Sequence, residues 1–185
     1  MGWPRVEWRR ESRIKASVVD IAASVAEAIV ESTNVLRAHL EAEGLGRTTP
    51  ERVIDDEVLL ECTLFECFLH EAVVILEFGR HAEAIRQALA GRLLIELCRS
   101  GVSVGALTDF GRRWVERFPE YAEATAAGES LQALGSLACL RIFGRAEASE
   151  RGTMLLARRA SAKLAALRGF GKGYAVVETS RALAD

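Results

Sequence analysis

Proline, histidine and aromatic side chains are scarce in this chain of 185 residues, with 3 Pro, 3 His and 6% Phe, Trp and Tyr. So little proline excludes a collagen-like or linker-like polymer, and an apolar half of the composition excludes intrinsic disorder. Three histidines (His39, His70, His81) are too few for an iron centre built on histidine alone. The four cysteines, Cys62, Cys67, Cys98 and Cys139, include no CxxC pair, and all four sit among Leu, Phe and Ala as small core hydrophobes. No run of 18 uncharged apolar residues exists, so no membrane span is expected. Met1–Lys15 is polar rather than a secretory signal, and Val6 stands where a myristoylation motif wants Ser or Thr. A reducing, cytoplasmic setting is the expectation.

Catalytic signatures are missing as well. No GxSxG occurs, and Gly169-x-Gly171-x-Gly173 follows no strand, so it is neither a dinucleotide nor a phosphate loop. Asp55-Asp56-Glu57 has the acidity of a magnesium motif, but acids at a helix start follow from the helix dipole alone.

Helix is what remains, since Ala and Leu abound and no Asn-Gly or Asp-Gly hairpin turn occurs. The pattern predicts an all-α, single-domain bundle of five to seven helices over residues 1–168, followed by a Gly-rich breaker and C-terminal tail at 169–185. A first helix runs from Pro4 to Glu43, with a break near Glu11–Arg13. Its stripe is Ile14, Val18, Ile21, Val25, Ile29, Leu36 and Leu40. Thr49 and Pro50 start a second, ending at Phe78. That helix is apolar around most of its circumference, so it is expected to be the buried one, with Leu59, Leu60, Leu64, Phe65, Phe68, Ala72, Ile75 and Leu76 as its core. Further helices follow at Arg80–Arg99, at Val104–Phe118 with Ser103 as cap and Pro119 as stop, at Leu131–Phe143 and at Ala146–Leu167.

Charge is distributed in blocks. Asp20–Glu83 holds 14 acids and 4 bases, whereas Met1–Lys15 and Arg141–Asp185 are basic, and the net charge is −2. Balanced charge argues against a coat for nucleic acid, and complementary blocks suggest attraction within or between subunits.

Four polar residues of the second helix and its continuation share one stripe. Glu66, His70, Glu77 and His81 fall within roughly 60° of one another at 100° per residue. Three readings stand. The stripe is the solvated face of an amphipathic helix; or it binds a divalent metal such as Fe, Mn or Zn, as carboxylate and imidazole ligands do in helical-bundle enzymes; or it pairs antiparallel with its own copy, Glu66 against His81 and His70 against Glu77, provided the helix continues through Gly79. Arg112, Arg113 and Arg117 after the Ser100–Ser103 turn resemble a helix-turn-helix reader of DNA, although a bundle hairpin is joined in the same way. Trp3 and Trp8, interleaved with Arg5, Arg9 and Arg10, suit packing on the bundle or docking on a partner. The reading these features favour is an interaction or assembly module acting without chemistry of its own, a homodimer held by the stripe of the first helix and loosened when Ile21, Val25 or Ile29 is charged. A metal-dependent bundle enzyme and a DNA-binding regulator are the alternatives.

Overall fold

A computed structural model describes residues 14–45, 56–126, 131–144 and 150–177. Trp3, Trp8 and their arginines, the Thr49–Pro50 helix start and Asp55 lie outside the described residues. The chain is an all-α bundle. Its elements run β1 (Ile14–Ala16), α1 (Val18–Ala42), α2 (Asp56–Phe78), a 3-10 turn (Gly79–His81), α3 (Ala82–Arg99), α4 (Val104–Ala126), α5 (Gln132–Phe143), α6 (Glu150–Leu167), a second 3-10 turn (Phe170–Gly173) and β2 (Tyr174–Val176).

α1 begins at Val18, not Pro4, because Ser17 and Asp20 form a reciprocal capping box that satisfies the first orphan amides there. Upstream, Ile14 is 62% exposed and belongs to β1, which pairs in parallel with β2. Residues 169–176, expected as breaker and tail, thus return to the body of the fold. Phe170 and Tyr174 pack on Phe78 at the end of α2, with ring centroids 6.2 and 6.3 Å away. Ser103 caps α4 as expected, accepting from the Ala106 amide at 3.3 Å. Pro119 does not stop that helix, which continues to Ala126. The lost proline N–H is offset by packing on either side: Phe118 and Tyr121 both lie against Phe68, at 5.7 and 5.4 Å.

α2 divides two apolar clusters and serves both. Leu60, Leu64, Cys67, Val74 and Phe78 join α1, α3 and the start of α4, while Cys62, Phe65, Phe68 and Leu69 join α5, α6 and Tyr121. Every residue from Leu60 to Glu71 is buried, which confirms α2 as the central helix. The expected core list fails at its end: Ile75 is exposed and Leu76 is 81% exposed. There α2 is covered by α3 and the 170–174 segment on one side alone. Ile21, Val25 and Ile29 are consumed in the core of the chain itself, so the stripe expected to hold a dimer is not a surface. Of the cysteines, Cys62, Cys67 and Cys139 are buried and Cys98, expected in the core, is exposed.

Candidate functional site: buried carboxylates of the central helix and the grooves beside them

A helix buried on all sides over three turns has no face on which charge meets water, so its carboxylates need partners from its neighbours. α2 carries three of these, Glu61, Glu66 and Glu71. Steps of five residues turn each roughly 140° from the last, so the three point to different sides of the helix. α4 meets the first. Glu61 Oε1 accepts from Arg113 Nη1 at 3.0 Å and Arg117 Nη2 at 3.4 Å, and its Oε2 from Arg117 Nε at 3.3 Å. α6 meets the second. Arg159 Nε donates to Glu66 Oε1 at 2.5 Å, and Glu66 Oε2 has no hydrogen-bond partner among the described residues. α3 meets the third through an Arg86–Glu71 ion pair.

The sequence-derived stripe therefore does not face solvent. Glu66 is 0% exposed and His70 is buried, both beneath α6, and this burial also removes the expected pairing of α2 with its own copy. That pairing fails on geometry too, because α2 ends at Phe78 and Gly79 adopts a left-handed φ of 49°, which turns His81 off the stripe. The structure gives the four residues separate roles. His70 Nδ1 lies 2.8 Å from the Glu66 carbonyl oxygen and so donates to it, while burial holds the imidazole pKa below its usual value. Glu77 Oε1 accepts from the Gly169 amide at 2.8 Å, anchoring the 170–173 turn. There the chain passes so closely that a Cβ on Gly171 would meet Glu77 Cβ at 2.6 Å. His81 Nε2 accepts from Arg80 Nε at 3.2 Å. Among the described residues no three His, Cys, Asp or Glu side chains converge to hold a metal ion.

The arginines of α4 are committed as well. Arg113 and Arg117 turn inward to Glu61, and Arg112 is shared between Asp109 and Glu116, which leaves that helix without a free basic row for phosphates.

Two grooves flank α2. One, of about 850 Å³, lies between the antiparallel α1 and α6, with Ser32, Arg158, Arg159 and Lys163 among its lining. Arg159 spans its floor, donating through Nη2 to the Ser32 carbonyl at 2.7 Å as well as to Glu66. The other, of about 490 Å³, lies between α3 and α4 above the Glu71–Arg86 pair. Its walls include Ala90, Leu94, Phe110, Trp114, Val115 and Phe118. The three aromatics form a ladder along α4, Trp114 standing edge-on to Phe110 at 5.5 Å and stacked on Phe118 at 5.4 Å.

Sequence reasoning missed Arg86, Arg159, Ser32 and Lys163. The signal for their partners was present as Glu61-x4-Glu66-x4-Glu71 inside an apolar segment, a spacing that no single helix face explains. No family model, curated protein or solved structure matches this chain. No helix among the described residues is long and apolar enough to cross a membrane.

Proposed function

We propose that the chain is a helical interaction module that assembles with a second copy of itself through the face formed by α3 and α4. One observation carries this reading. The groove between those helices exposes two aliphatic side chains that the chain's own core does not use, Leu94 and the 75% exposed Val115, beside the half-buried Trp114 and Phe118. Aromatic side chains set in an apolar pocket are what stable interfaces bury at their centres.

The rim supports a twofold partner over a partner of one charge sign. Glu83 and Arg86 at its α3 edge carry both signs, so an isologous arrangement sets acid against base. Four cysteines, none in a disulfide among the described residues, support work in a reducing compartment such as the cytoplasm. Light scattering at micromolar concentration tests the reading. A mass twice the 20.2 kDa of the chain, falling to one chain in Val115→Glu, is the expected result. A parent protein of single-chain mass contradicts it.

A further inference from the structure

The groove between α3 and α4 has more acid than base in its lining. Its charged lining among the described residues is Glu71, Glu83 and Arg86, two carboxylates to one guanidinium. Arg86 is divided between them, in ion-pair contact with Glu71 and donating through Nη1 to Glu83 Oε2 at 3.0 Å. Glu83 is exposed to water and also accepts from Gln87 Nε2 at 3.0 Å. Glu71 has no such relief. It is 1% exposed, and its Oε2 has no hydrogen-bond partner among the described residues. The arginines of α4 beside the groove are held elsewhere, Arg112 by Asp109 and Glu116 and Arg113 by Asp109, Glu57 and Glu61. A buried carboxylate with one oxygen unanswered carries a desolvation cost that a further cationic donor would offset.

The walls suit a donor of that kind on an apolar body. Trp114 and Phe118 line the groove, and aromatic rings attract an ammonium electrostatically. Ala90, Leu94 and Val115 make the rest of the wall largely apolar. Its volume of about 490 Å³ is within the range of ligand clefts, which combine apolar walls with a few placed polar groups.

We infer that this groove binds a primary amine carried on an apolar body, the ammonium meeting the free oxygen of Glu71 and the body lying between α3 and α4. The same groove is the assembly face proposed above, so a bound amine and a second copy exclude one another. That exclusion rests on the assembly reading, whereas binding of the amine does not.

Calorimetric titration of the full chain with phenylbutylamine, phenylbutanol and phenylbutyrate tests it, since the three share one body and differ in charge. The amine is expected to bind one per chain, and the alcohol and the carboxylate at least tenfold more weakly, the worth of one charge-assisted contact. Glu71→Gln keeps the size of the side chain and should weaken the amine about tenfold. Glu83→Gln leaves Arg86 to Glu71 alone and should weaken it about threefold, and as a surface change it folds whatever becomes of Glu71→Gln. Light scattering of the parent at saturating amine should give the mass of one chain. A parent of single-chain mass that binds the amine with this selectivity contradicts assembly and supports the site. No binding of the amine, equal binding of the alcohol or the carboxylate, undiminished binding by the folded Glu71→Gln or Glu83→Gln variant, or a double mass that bound amine leaves unchanged would overturn the inference.

Discussion

Glu61 and Glu66 stand five residues apart on one helix, both nearly sealed from water, yet their surroundings differ. Glu61 has both oxygens engaged by two guanidiniums of α4, in a part of the structure where the helices close over it. Glu66 has one oxygen engaged by a single guanidinium of α6, which also spans the floor of an open groove. The first arrangement is redundant. The second depends on one residue, and the same residue ties α1, α2 and α6 together. A buried charge with several partners behaves as structure, whereas one with a single partner at a cleft couples stability to whatever enters the cleft.

The largest expected effect comes from removing the single partner. Arg159→Ala leaves Glu66 buried and uncompensated, and urea unfolding should show a loss of about 3–5 kcal/mol. Arg117→Ala leaves Arg113 on Glu61, and a loss of about 1.5 kcal/mol is expected from a charged hydrogen bond. Equal losses would break the comparison.

A second effect works through α6 without touching the charges. Gly135 on α5 lies so close to α6 that an added Cβ would meet the Thr153 carbonyl oxygen at 2.5 Å and the Ala157 backbone nitrogen at 2.8 Å. Gly135→Ala must push α6 outward, and overpacking of this kind costs about 1–3 kcal/mol. Because Arg159 rides on α6, the loss in Gly135→Ala combined with Arg159→Ala should be less than additive, while that with Arg117→Ala should add.

Between pH 7 and 5 a pH response is expected at the Glu66 end, through His70. Burial holds the His70 imidazole neutral, and Lys163 and Arg159 press the same way against the opposing Glu66. The unfolded chain therefore takes up its proton first, so this contribution is complete above the ordinary pKa of 6.5 and is lost as the pH falls below it. Denaturation midpoints between pH 7 and 5 should fall in the parent more steeply than in His70→Gln, by up to about 1.4 kcal/mol per pH unit. Parallel curves would show that His70 is not buried as described.

The smallest effect is chemical. Cys62 and Cys67 sit beside the two carboxylates, and burial pushes the Cys62 pKa up to about 12 and that of Cys67 well above its usual value. A thiol reagent should titrate one cysteine in the native protein, Cys98, and four after unfolding. A second native thiol would mean that one end of the buried stretch opens in solution.

Much of this architecture was legible in the residues. The apolar circumference of α2 announced its burial, and helix ends at Gly44, Gly101 and Gly144 coincide with left-handed glycines. What stayed hidden depends on tertiary partners. Pro119 reads as a stop until Tyr121 and Phe118 are seen to lock the next turn onto α2. Ile75 and Leu76 read as core until the neighbours are seen to leave that side open. Helical periodicity, a local signal, sets the Glu and His of α2 on one stripe. Which arginine answers each carboxylate is decided by residues 15 to 93 positions away.

The account rests on Glu66 and Arg159 forming a buried pair, and a double-mutant cycle on Glu66→Gln and Arg159→Met measures that coupling most directly. A coupling energy of about 2 kcal/mol or more is predicted, the double variant recovering much of what each single variant loses. Effects that add within about 0.5 kcal/mol, as for exposed surface pairs, would contradict it.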